Sequence, residues 1–185
     1  MIKKAFILFL LCLMSTLLLA CGGGGESEPE IETAEGADIN ATLASAEWEV
    51  KLVDAPFKTK AVGSGAEVTG RSGEFGDIGT HEAEGMWLIL PVELSNKADE
   101  MLMLGGKLFK VVDGVGNEYA MAPRPIHASA IWHGDRWGEK ENQLPANPID
   151  VGLTHPGPLV FEVPSDATGL QLIMDGVDGS IRLGF

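Results

Sequence analysis

"MWLILPVELSN", Met86 to Asn96, is the stretch that decides the fold. Met86, Leu88, Leu90, Val92 and Leu94 fall on one side of it, and Trp87, Ile89, Pro91, Glu93 and Ser95 on the other. A period of two is strand geometry, because successive side chains of a strand point to opposite faces. Pro91 has no N–H to give a ladder, so the strand is expected to lie at a sheet edge there or to carry a bulge.

The same pattern recurs on both sides. Upstream, "EWEVKLVDA" sets Trp48, Val50 and Leu52 against Glu47, Glu49 and Lys51, a half-buried strand. Downstream, "KLFKVVDGVGNEYAM" reads as strand, glycine turn at Asp113–Asn117, strand: a hairpin. "GPLVFEVP", "GLQLIMDG" and "SIRLGF" are three more short apolar strands, the first two closed by Pro164 and Gly176. No segment holds a helical period and no internal repeat is evident. Short strands between Gly, Pro and Asp turns predict an all-β antiparallel sandwich over residues 46–185. Two long connections interrupt it, the glycine-rich 63–79 and the Pro-rich, polar 122–150.

The N-terminus has another character. Lys3 and Lys4 precede the apolar run "AFILFLLCLMSTLLLA", and the small Ala20 precedes Cys21. That is the layout of a secretory signal, expected over residues 1–20, with a run too short for a comfortable membrane span. Leu18-Leu19-Ala20-Cys21 resembles the lipobox of bacterial lipoproteins. The resemblance implies a diacylglycerol on the Cys21 thiol and cleavage just before it. Each buried acyl methylene contributes about 0.8 kcal/mol, so two or three chains hold a protein on a bilayer. Cys12 would leave with the signal and Cys21 would carry lipid. No thiol then remains for a disulfide, a nucleophile or a thiolate metal site.

Residues 22–45, "GGGGESEPEIETAEGADINATLAS", carry six acids and no base. With little apolar surface and like charges, residues 21–45 are expected to form a lipidated, flexible acidic leash. The whole chain has 27 acids and 13 bases; without Lys3 and Lys4 eleven bases remain, for a net charge of −16. That field disfavours nucleic acid and anionic headgroups as partners.

The run from Gly85 to Tyr119 resembles an immunoglobulin-like domain family found in bacterial surface lipoproteins and without an assigned activity. Gly85, Asn96, Leu102, Leu104, Phe109, Asp113 and Tyr119 occupy the places of its pattern, and Leu159–Pro164 resembles its second signature. The resemblance implies an immunoglobulin-like sandwich at the cell surface and leaves the activity open, because function lives in sites grafted on folds.

Residues 123–145, "PRPIHASAIWHGDRWGEKENQLP", gather His127, Trp132, His133, Asp135, Arg136 and Trp137, the candidate binding loop. Loops at the end of a rigid sandwich are where binding residues collect, and Trp and Arg dominate interface hot spots. The plainer role for both tryptophans is to fold back and cap the core.

Metal is the second candidate. His81, His127, His133 and His155 are present, with Asp135, Glu139 and Glu141 near the middle pair. Zinc sites announce themselves by shorter spacings than the six residues between His127 and His133. Asp113–Glu118 and Asp175–Gly179 have oxygen donors for calcium, but tight Asp-Gly turns explain both. No nucleophile elbow or phosphate loop occurs, although a hydrolase site assembled across loops would leave no such mark. The expectation is therefore a lipid-anchored, extracytoplasmic, non-enzymatic module with no cofactor beyond the lipid, facing a protein or envelope partner. A solute- or metal-binding lipoprotein is the alternative.

Overall fold

Strand β5 runs from His81 to Asn96, sixteen residues, and every other part of its sheet is organised along it. The computed structural model describes residues 31–63, 81–123, 126 and 148–185. Within these, the strands in chain order are β1 (Ile31–Thr33), β2 (Thr42–Ala44), β3 (Trp48–Leu52), β4 (Phe57–Val62), β5, β6 (Phe109–Val112), β7 (Glu118–Ala120), β8 (Thr154–Val163), β9 (Gln171–Met174) and β10 (Ile181–Arg182). All pairings are antiparallel.

One edge of β5 pairs with β4 over its first half and with β3 over its second. Its other edge pairs with β8 along residues 86–95. β1 extends the sheet beyond β4, and β2 beyond β3. The second sheet has the order β10-β9-β6-β7. The two sheets form the expected all-β sandwich. Leu88, Leu90, Val92 and Leu94 point between them, fully buried, with Val50, Leu52, Phe109, Val111, Leu159, Phe161 and Leu172. Each such side chain contributes about 1.5–3 kcal/mol by leaving water.

Pro91 does not mark a sheet edge, since β5 is interior. It lies where β3 ends and β4 has not begun on one side, and directly opposite Pro158 on the other. Its carbonyl accepts the Val53 N–H at 3.0 Å. The missing N–H therefore falls at the changeover between two partner strands, where no ladder bond is required. The bulge of β5 lies further back: Thr59 faces Trp87 and Ala61 faces Glu82, so β5 carries the extra residues between Glu82 and Trp87.

The leash expected over 21–45 needs a second correction. Residues 31–45 are folded onto the sandwich: β1 pairs with β4 and β2 with β3. Between them, the Glu35 N–H donates to the Gly184 carbonyl at 3.1 Å, and Asp38 forms a two-point ion pair with Arg182 at 2.6 and 3.0 Å. Leu43 enters the core at 6% exposure. Main-chain ladder bonds do not depend on side-chain polarity, so an acidic, glycine-containing segment can still add strands to an open edge.

Candidate functional site

Cys21 and the whole candidate binding loop, His127, Trp132, His133, Asp135, Arg136 and Trp137, lie outside the described residues, as do 64–80 of the glycine-rich connection. Both ends of the 123–147 connection are described, and they fix where it leaves and rejoins the sandwich. At its start Met121 bridges Phe161, and the Ala122 N–H donates to the Val160 carbonyl at 2.8 Å. At its end Ile149, buried in the core, bridges Leu102. These anchors lie beside Leu88 and Asn96 of β5, eight residues or about 27 Å apart along the strand.

The starting anchor sits over an unusual surface. Phe57, Val62, Ala83, Trp87, Ile89 and Val160 form a second buried apolar cluster, with Ala122 and Ile126 packed against it. The register shows that it lies on the outer face of the larger sheet: Phe57, Ile89 and Val160 stand in one cross-strand row, opposite in facing to Leu88 and Phe161. The other half of that outer face is polar, with Glu49, Lys51, Glu93, Ser95 and Thr154. The first described residues of the connection after β7, Ala122 and Ile126, thus lie over the apolar half. This half was hinted at by Trp87 and Ile89 on the supposedly outward side of the β5 pattern.

The Asn96 side chain fixes the far anchor. Its Nδ2 donates to the Glu100 carbonyl at 2.7 Å and the Ile149 carbonyl at 2.8 Å, and its Oδ1 accepts the Ala98 N–H at 2.9 Å. A fully buried amide satisfied three times is a rigid clamp, because breaking it would strand desolvated donors and acceptors.

The two described histidines are not brought together. His81 pairs with Val62 at the start of β5, on the face of the outer cluster, whereas His155 pairs with Leu94 on the inner face. Thirteen residues of β5, at most about 43 Å of strand, separate their rows. Among the described residues no group of three His, Cys, Asp or Glu could hold a metal ion.

The Asp113 turn is saturated with donors. Oδ1 accepts the Val115 N–H at 3.0 Å and the Asn117 N–H at 2.8 Å; Oδ2 accepts Asn117 Nδ2 and the Tyr119 hydroxyl, both at 2.8 Å. Burial alone would raise this carboxyl. The bonds from the Asn117 side chain, the Tyr119 hydroxyl and the two N–H groups outweigh it and lower the pKa to about 2. Burial and the same carboxylate push the Tyr119 hydroxyl up. Asp113 and Tyr119, two residues of the family-like pattern, are thereby accounted for as partners that close the β6–β7 hairpin.

Lys58 carried no signal in the sequence. It faces the sandwich interior beside Leu88 and Phe161, at 2% exposure. Its Nζ donates to the Ala167 carbonyl at 3.0 Å, lies 3.9 Å from a Glu32 carboxylate oxygen and sits 4.4 Å from the Phe185 ring centre. Strict alternation of "FKTKAV" puts both Lys58 and Lys60 on the face opposite Phe57, and the register shift after Thr59 leaves Lys58 alone of the two buried.

No family model and no curated protein matches this chain. Among solved structures it is similar to a conserved hypothetical protein from Bacillus anthracis. That match has 12% identity and a TM-score of 0.57, and covers 85% of this chain and 99% of that one. An uncharacterized beta-sandwich protein from Clostridium difficile 630 matches at 13% identity and a TM-score of 0.45, covering 84% and 96%. A "putative lipoprotein" from Bacillus subtilis strain 168 matches at 15% identity and a TM-score of 0.37, covering 71% of this chain and 31% of that one. The first likeness supports the fold and carries nothing about activity.

Proposed function

We propose that this chain is a lipid-anchored, extracytoplasmic, non-enzymatic module of the immunoglobulin-like lipoprotein kind, which recognises a protein or envelope component through residues 63–79 and 123–145. The observation that carries the reading is a lipobox-like Leu18-Leu19-Ala20-Cys21 placed only ten residues ahead of β1, the first strand of a rigid sandwich. Only residues 22–30 then separate Cys21 from β1, a stretch whose contour length is at most about 32 Å. The module stands close to its membrane, and any partner is met within that distance or on the face turned away from it.

The test is photo-crosslinking in cells from positions 132 and 137, with Cys21→Ala as the localisation control. The expected result is one dominant protein adduct, and release of the Cys21→Ala chain from the membrane fraction. Diffuse adducts from both positions would sink the recognition role, and a Cys21→Ala chain still in the membrane would sink the lipid anchor.

A further inference from the structure

Asp38-Ile39-Asn40-Ala41-Thr42 carries a modification signal that the functional reading above does not use. Asn-x-Thr with x other than proline is the acceptor sequence for N-linked glycans in exported chains. Of the five asparagines in the chain, Asn40 alone has a Ser or Thr two residues on.

The local structure presents this asparagine. The Ala41 N–H donates to the Asp38 carbonyl at 3.0 Å, closing a turn with Asn40 in its third position. Asn40 is exposed, and its φ is 68°. The nine other described residues with positive φ are all glycine. Asparagine tolerates this left-handed backbone, but glycine holds it without strain and is what the chain uses elsewhere. The backbone therefore accounts for a small or amide residue at position 40, and not for the hydroxyl at Thr42. Thr42 is also exposed: Leu43 turns into the core, so Thr42 faces outward at the start of the edge strand β2.

We propose that Asn40 is a glycosylation site, taking an oligosaccharide from a polyprenyl-diphosphate carrier. The inference rests on the extracytoplasmic reading above. In the transfer, the Asn40 amide nitrogen forms a bond to the anomeric carbon and gives up a proton to the transferase. The bond from that carbon to the diphosphate oxygen breaks, and polyprenyl diphosphate leaves with the electron pair; nothing is oxidised or reduced. In the folded chain Thr42 is paired with Lys51, and the Asp38 carboxylate is engaged by Arg182. A transferase therefore meets the segment before β2 closes on β3. A glycan at Asn40 would afterwards stand at the free edge of β2 and shield it from pairing with another chain.

The experiment is mass spectrometry of the full-length protein purified from membranes of the cells that make it. The peptide spanning Asn40 and the N-terminal peptide at Cys21 are read in the same digest. The expected result is an acylated Cys21 together with a glycan mass on the Asn40 peptide. That mass should be absent from Thr42→Ala and retained in Thr42→Ser, neither of which alters the left-handed turn. An acylated Cys21 with an unmodified Asn40 overturns this inference and leaves the lipoprotein reading standing. An unprocessed N-terminus overturns both. A glycan persisting in Thr42→Ala also overturns the assignment.

Discussion

Pro91 of β5 stands directly opposite Pro158 of β8 in the antiparallel register. Neither residue can donate, and the Pro91 carbonyl is turned to Val53 on the far side, so this is a pair that exchanges no ladder bond. The missing N–H of Pro158 points away from β5, and Pro156, two residues earlier, shares that direction. Among the described residues nothing pairs with this half of β8 on its outer side; Met121 and Ala122 reach only Phe161 and Val160. Alternate prolines remove the donors from what would otherwise be an open edge. The double variant Pro156→Thr/Pro158→Val should keep its stability within about 0.5 kcal/mol. It should also self-associate, as read by sedimentation velocity against the parent.

Lys58 offers a direct test of the interior polar contact. Lys58→Met keeps the length of the side chain but leaves the Ala167 carbonyl without its donor. The expected loss is about 1–3 kcal/mol in urea unfolding. Lys58→Ala also removes the packed stem beside Leu88 and should cost more. Equal midpoints for Lys58→Met and the parent would show that the Nζ contact contributes nothing.

Gly85 sits in the β5 bulge between Glu82 and Trp87, where the ladder to β4 is interrupted. The Glu84 and Gly85 N–H groups donate to Glu162 Oε1 at 2.6 and 3.3 Å, and Lys60 Nζ donates to both of their carbonyls at 2.8 and 3.0 Å. A methyl on Gly85 would overlap the Val163 carbonyl oxygen, a backbone atom that cannot step aside. Gly85→Ala should therefore cost at least about 2 kcal/mol through forced backbone shifts, visible as a lowered thermal midpoint. Glu162→Gln, which keeps the acceptor oxygen, should cost far less.

Asp113 makes the acid side of the stability profile predictable. Its carboxyl titrates at about 2 in the folded chain against 3.8 ordinarily, so the unfolded chain takes up the proton first. The stabilisation is whole above about pH 4 and is lost as the pH falls through 2. The Asp38 carboxyl, lowered by the Arg182 bond, acts in the same direction, its stabilisation lost on acidification. Urea midpoints of Asp113→Asn should be lower at neutral pH and fall less steeply between pH 4 and 2. An unchanged slope would mean that Asp113 is not the group responsible.

The alternation of Met86–Asn96 was enough to read β5, because a half-buried strand writes its period into side-chain polarity. The hairpin closed by Asp113 was legible from its Asp-Gly turn for the same local reason. What escaped were contacts made at long range or by the main chain. Nothing near Asp38 in sequence points to Arg182, 144 residues away. The exposed β1 has no apolar face to announce it, since all three of its residues are exposed and it is held by its ladder bonds and the Glu32–Lys58 ion pair. The candidate site stayed partial too: its composition was readable, whereas its two anchors depend on the Asn96 clamp and the Met121 bridge.

Lys58 touches Glu32 of the first strand and lies over Phe185, the last residue described, so the two extremities of the folded chain share one rim of the sandwich. Asn96 and the Leu102–Ile149 bridge occupy the opposite rim. In engineering terms the domain has a single port: a short peptide could splice residue 185 to residue 31, with new termini opened elsewhere. A reporter fused after Phe185 would emerge on the rim of β1, leaving the rim of Asn96 unencumbered.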